Sequence, residues 1–275
     1  MKIGFHTWSF ESLSLERALK HIRDAGFEEV EITADKRHLD PRIYPRQKLL
    51  QLRSLLRSLS LTPNSVHAPI DGADLSTSNL EERKRAVGLL VDTLEYCRAI
   101  DSPIVVVHPN HSNSLSLGAE AMNRNSLEAL KEIVIEAEDL GVKIALENMI
   151  EKEERRFGSR VADLIEMISH IGSSQLGICI DVGHTNLMPK PDVSIEQEII
   201  QAWDRLLTLH IHDNDGKMDW HWPPGDGNID WRQVVRGLRE VNYRGVFMME
   251  VHERGDPDEL ARSSLQKTRE ILNAY

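Results

Sequence analysis

Six polar patches recur along this chain where apolar runs give out: VHAP with His67, VVHPNH with His108, LEN with Glu147, IDVGH with Asp181 and His184, LHIHDND with His210, His212 and Asp213, and MEVHE with Glu250. A lone charge at the end of a buried strand is costly, so repeated termination in ionisable groups points to convergence on one site. Histidine and acidic residues together fill about one position in five, too few to account for six of eight expected strand ends by accident. Carboxylates and imidazoles brought together without a cation would repel one another or stand idle. Glu147, Asp181, His210 and Glu250 offer three hard oxygen donors and one imidazole. That set suits a divalent ion, with Mn²⁺ or Zn²⁺ first and Mg²⁺ or Co²⁺ also compatible. His184, three residues after Asp181, can turn back over the same pocket. His210 and His212 share one face of a strand, which makes His212 either a substrate contact or an orienting neighbour of a ligand. Asp219 and His221 add a further carboxylate–imidazole pair. His67 and His108 are candidates for extra metal ligands or for substrate contacts.

These patches need a scaffold that gathers strand ends. Strands are expected at 2–6, 29–33, 62–67, 104–108, 143–147, 176–181, 207–212 and 246–251. Amphipathic helical patterns lie at 14–25, 47–59, 80–100, 126–140, 161–171, 195–203, 231–240 and 257–274. Eight strand–helix alternations imply parallel strands joined by crossover helices. Eight units in 275 residues favour a closed (β/α)₈ barrel in one domain, 1–275, over an open doubly wound sheet, and the first strand–turn lacks a glycine-rich dinucleotide motif. In such a barrel chemistry sits at the C-terminal ends of the strands. Gly26, Gly141 and Gly172 follow helices, as left-handed caps do, and Asp230 is placed to cap a helix.

Composition narrows the classes. With 40% hydrophobic and 28% charged residues the chain suits a soluble fold with a sizeable core. No apolar run approaches the ~20 residues of a membrane span. The N-terminus reads as a strand, and Cys97 and Cys179 read as packing residues, so a reduced cytoplasmic setting is expected. The formal net charge of −11 disfavours nucleic acid as a partner. Around the mouth, Arg155 and Arg156 could grip an anion, and Trp8, Trp220 and Trp222 could cover the face of a bound substrate. Gly225 and Gly227 could offer amides to a phosphate or simply form a tight turn.

The ordered series IGFHTWSF, SVHAPID, VVVHP, ALEN, ICIDVGH, HIHDNDG and MMEVHE resembles the xylose isomerase-like barrel superfamily over essentially the whole chain. That group includes sugar and sugar-phosphate isomerases and epimerases and endonuclease IV. The epimerase branch implies a metal on Glu147, Asp181, His210 and Glu250, with His184 touching substrate. It also implies a small-molecule sugar, sugar phosphate or polyol as partner, and pairing with a second copy of the chain. The chemistry expected is proton transfer through an enediolate, with Glu147 and Glu250 as the acid–base pair and His184 assisting. The endonuclease branch implies nine metal positions falling on His67, His108, Glu147, Asp181, His184, His210, Asp219, His221 and Glu250. DWHWPPGDGNI resembles its D-x-H-x-x-x-G-x-G loop, so the expectation runs from one to three ions per chain. The HTWSF opening departs from that branch, and its DNA-intercalating loops have no counterpart here.

Overall fold

A computed structural model describes residues 1–35, 38–151, 155–188, 194–252 and 254–275. Eight strands are present: β1 (Lys2–His6), β2 (Glu29–Thr33), β3 (Thr62–His67), β4 (Ile104–Val107), β5 (Lys143–Glu147), β6 (Leu176–Asp181), β7 (Leu206–His210) and β8 (Val246–Met249). They form one parallel sheet in the order β7-β6-β5-β4-β3-β2-β1-β8. The ring is closed through Ile211. Its N–H donates to the Met248 carbonyl at 2.8 Å, and its carbonyl accepts from the Glu250 N–H at 3.0 Å.

The outer layer holds α1 (Leu15–Asp24), α2 (Leu49–Ser58), α3 (Leu80–Ala99), α4 (Ala119–Leu140), α5 (Val161–Ile171), α6 (Val182–Asn186), α7 (Ile195–Ala202), α8 (Trp231–Glu240) and α9 (Pro257–Ala274). Each longer helix turns its apolar stripe to the sheet. In α1 this is Leu15, Ala18, Leu19 and Ile22, the spacing of one helical face. Gly141 and Gly172 end α4 and α5 in the left-handed conformation, where a side chain would be strained. The Asp230 carboxylate accepts from the Arg232 N–H at the start of α8. Among the described residues no helix is long and apolar enough to cross a membrane.

Three boundaries depart from expectation, each for a local reason. β7 stops at His210 because, after Ile211, the chain pairs antiparallel with the following loop: Asp213 and Trp222 exchange two backbone hydrogen bonds at 2.7 and 2.9 Å. α4 begins at Ala119, about two turns before 126, and buries Met122. The short α6 was not expected. It starts because the Asp181 carboxylate accepts from the His184 N–H at 2.7 Å and caps it at once. Residues 152–154 of the charged stretch after β5 lie outside the described residues. Both cysteines are buried, and burial pushes both thiols well above their ordinary range.

Candidate metal centre

The strand ends deliver their polar residues to one place. Glu147 closes β5, Asp181 closes β6, His210 closes β7, and Glu250 follows β8; His67 closes β3 and His108 follows β4. His184 arrives on α6, and Asp219 and His221 on the loop after β7. Their donor atoms fall into overlapping groups, each within 4.8 Å: Glu147, Asp181, His210 and Glu250; His67, His108 and Glu147; and His184, His212, Asp219 and His221. Glu147 belongs to two of these. Its Oε1 lies 3.4 Å from His210 Nδ1, and its Oε2 lies 3.4 Å from His67 Nε2 and 3.3 Å from His108 Nε2. Glu250 Oε2 stands 3.2 Å from His210 Nδ1.

The imidazoles are oriented from behind. His67, His184 and His221 each donate an Nδ1–H to a backbone carbonyl, of Ala68 at 2.7 Å, Asn148 at 2.8 Å and Glu250 at 2.9 Å. That choice leaves Nε2 facing inward. There it meets carboxylates: Glu147 for His67, and Asp219 at 3.4 Å for His184 and 3.0 Å for His221. A neutral imidazole would present a lone pair to a carboxylate, two acceptors face to face, so either a proton or a cation must lie between them. Glu147 Oε2, His210 Nδ1 and Asp219 Oδ1 are buried without a hydrogen-bond partner among the described residues. This donor set fits a divalent ion.

Without an ion, protons take that role. Burial opposes charge on His67, but the Glu147 carboxylate outweighs it and lifts the imidazole to about 9. For His221 burial is likewise outweighed by Asp219, again giving about 9. His184 and His210 are raised further by the acids around them. A histidine raised in the folded state contributes stability that is complete below its unfolded value of about 6.5 and is lost as pH climbs through its folded value. Metal-stripped protein is therefore expected to melt roughly 5 °C or more lower at pH 9.5 than at pH 6, and added Mn²⁺ or Zn²⁺ to flatten that slope. Thermal melts with and without chelator check this. A flat profile in the stripped protein would contradict it.

A cavity of about 370 Å³ opens above these groups, lined by His6, Trp8, His38, His67, His108, Glu147, His184, Asp219, His221 and Glu250 among others. Trp8 forms a wall, edge-on to His221 and His252 with ring centres 5.0 and 5.2 Å away. His212, named from sequence as a substrate contact, does not line the cavity. It is fully buried, with Nε2 3.0 Å from Asp181 Oδ1 and its ring stacked on His221 at 3.8 Å. Gly183 leaves room for it, since a Cβ there would fall 1.9 Å from the His212 ring.

Other mouth residues serve structure instead. Arg156 is buried and donates to the Asn110 side chain at 2.6 Å, and Arg155 donates to Asp163 at 2.6 Å and to Ser159 at 2.9 Å, so neither guanidinium lines the cavity. Trp220 and Trp222 stack on each other, centres 5.7 Å apart, outside the cavity lining. Gly225 and Gly227 form a tight turn around the Asp213 carboxylate, which accepts from the N–H groups of Asn214, Gly225 and Ile229 and from the Trp231 indole. The Gly225 amide that could have met a phosphate is thus occupied by the protein's own anion. Glu31 and His6 belong to the site floor but were not singled out from sequence. Their signal was present: a lone acid inside the apolar run VEIT, and a histidine ending GFH.

The model of the xylose isomerase-like TIM barrel family matches residues 19–271. An uncharacterized protein of Methanocaldococcus jannaschii is 32% identical, covering 100% of this chain and 89% of its own length. Fructoselysine 3-epimerase of Escherichia coli O157:H7 is 21% identical, covering 99% of this chain and 98% of itself. The crystal structure of a D-tagatose 3-epimerase-like protein superposes with a TM-score of 0.84 at 28% identity, over 100% of this chain and 99% of that one. With eight parallel strands, a polar cluster at their C-terminal ends and this match over most of its length, the chain belongs to the xylose isomerase-like TIM barrel family.

Proposed function

We propose that this protein is a divalent-metal-dependent epimerase or isomerase of a ketose or a related polyol. The observation that carries the reading is the pairing of Glu147 and Glu250. They line one cavity, flank the same His210 nitrogen at 3.4 and 3.2 Å, and have opposed proton affinities. Burial raises both carboxyls, but His210 and His108 outweigh it at Glu147 and hold that group well below its usual range. Glu250 stays raised, burial being reinforced there by the Glu147 charge. Two carboxyl groups driven apart in this way suit one donor and one acceptor of protons. The epimerase relatives support the same reading.

Glu147, Asp181, His210 and Glu250 would hold the ion, which supplies a Lewis acid that offsets the negative charge left on adjacent substrate oxygens when a carbon-bound proton departs. One carboxylate removes that proton from the carbon beside the carbonyl. The other returns a proton to the opposite face, inverting the carbon, whereas return to the neighbouring carbon shifts the carbonyl. His184, held by its bond to the Asn148 carbonyl, presents Nε2 to the cavity and can polarise a substrate oxygen. Trp8 bounds the sugar on one side. His67 and His108 either contact substrate or hold a further ion.

Incubation with a panel of ketoses in D₂O tests this. One deuterium is expected at the carbon beside the carbonyl, dependent on Mn²⁺ or a similar ion. No exchange from any metal-loaded sample would sink the proposal.

A second reading, a multinuclear zinc phosphodiesterase acting on abasic DNA or another phosphodiester, draws on the three donor groups, two of which share Glu147. Three zinc ions per chain with phosphodiester hydrolysis and no carbon exchange would favour it. The net charge of −11 weighs against it.

A further inference from the structure

Three of the site histidines are oriented by backbone carbonyls, and His210 is not. Its outer nitrogen, Nε2, lies 2.8 Å from the Oε1 of Glu31, a fully buried carboxylate on β2, across the barrel from β7. We propose that Glu31 is a positioning residue of the metal centre: by accepting the His210 Nε2–H it reserves Nδ1 as the ligating atom. The inference rests on the metal-dependent reading above.

The argument is one of donors and acceptors. An ionised carboxylate only accepts, so the hydrogen in the Glu31–His210 contact belongs to Nε2. A neutral ring then carries its lone pair on Nδ1, which points at Glu250 Oε2 at 3.2 Å, Glu147 Oε1 at 3.4 Å and Asp181 Oδ2 at 4.0 Å. Those are the three carboxylates of the four-residue donor group. With the other tautomer Nδ1–H would occupy the direction a cation needs. Glu31 excludes it, and its charge also makes the imidazole a more basic ligand than a backbone carbonyl would.

Glu31 is itself held in place. Its Oε2 accepts from the Ser65 hydroxyl on β3, and His6 Nε2 stands 3.6 Å from Oε1.

The test uses Co²⁺ as the probe, with affinity read by competition against a chromophoric chelator and ligation read from the visible spectrum of the cobalt protein. Glu31→Gln, which keeps an acceptor but loses the charge, is expected to weaken Co²⁺ binding about 10-fold, and Glu31→Met about 100-fold with an altered spectrum. Ser65→Ala, which loosens Glu31 without touching His210, should weaken binding a few-fold and keeps the question answerable should the Met variant fail to fold. Wild-type affinity and spectrum in the Gln and Ala variants, with only the metal-free melting temperature changed, would overturn the inference and leave the metal reading standing. A wild-type protein that binds no Co²⁺, Mn²⁺ or Zn²⁺ would remove both.

Discussion

Glu147→Gln is expected to lower turnover of the best ketose by about 10³-fold or more, the upper part of the range for loss of a general acid–base group. The amide is close in shape and cannot take up a proton. The residue also serves two donor groups, so the change reaches past proton transfer: the amide keeps a single oxygen, so either His210, facing Oε1, or His67 and His108, facing Oε2, meet an NH₂ in place of the oxygen 3.3–3.4 Å from their inward nitrogen. The rise in melting temperature on adding Mn²⁺ should shrink with it. Steady-state rates, read beside melts with and without the ion, separate the two losses. A variant turning over within about tenfold of wild type would take Glu147 out of the proton-transfer role.

Asp213→Ala is expected to destabilise the fold by about 3–5 kcal/mol while leaving the proposed catalytic carboxylates untouched. The carboxylate is fully buried and accepts from three backbone amides and the Trp231 indole, at 2.9 to 3.2 Å. Alanine strands all four donors in a turn that Gly225 and Gly227 have drawn close around them. A Cβ at Gly227 would sit 2.2 Å from the Asn214 carbonyl oxygen, so the loop cannot relax inward. Asp213→Asn, which keeps one acceptor oxygen, should lose about half as much. Urea unfolding measures both, and a loss under about 1 kcal/mol for alanine would mean water replaces the carboxylate freely.

How far the sequence carried these conclusions differed by residue. Strand identities followed from β-branched runs such as IVVV of β4, whose burial leaves little alternative. The donors at strand ends were legible because Glu147, Asp181, His210 and Glu250 break otherwise apolar runs, and the structure gathers them. Strand ends at the β7–β8 junction were less legible, because the two-bond link at Ile211 and the Asp213–Trp222 pairing depend on a partner far along the chain. Arg155 and Arg156 looked available because their acceptors, Asp163, Ser159 and Asn110, come from other positions of the fold. Trp220 and Trp222 were assigned to the mouth by proximity in sequence, whereas they stack on each other, with His221 between them in the left-handed conformation. Glu31 escaped notice for the opposite reason. A single acid mid-strand reads as a surface residue until its inward direction is known.

His210 and Glu250 stand on opposite sides of the junction where β7 meets β8, the last join in the ring, where among the described residues Ile211 alone carries the two closing backbone bonds. A ligand gripping both side chains is therefore also a clasp on the hoop. On that footing, an ion at the centre would reinforce a seam that the Ile211 backbone bonds already draw shut without it.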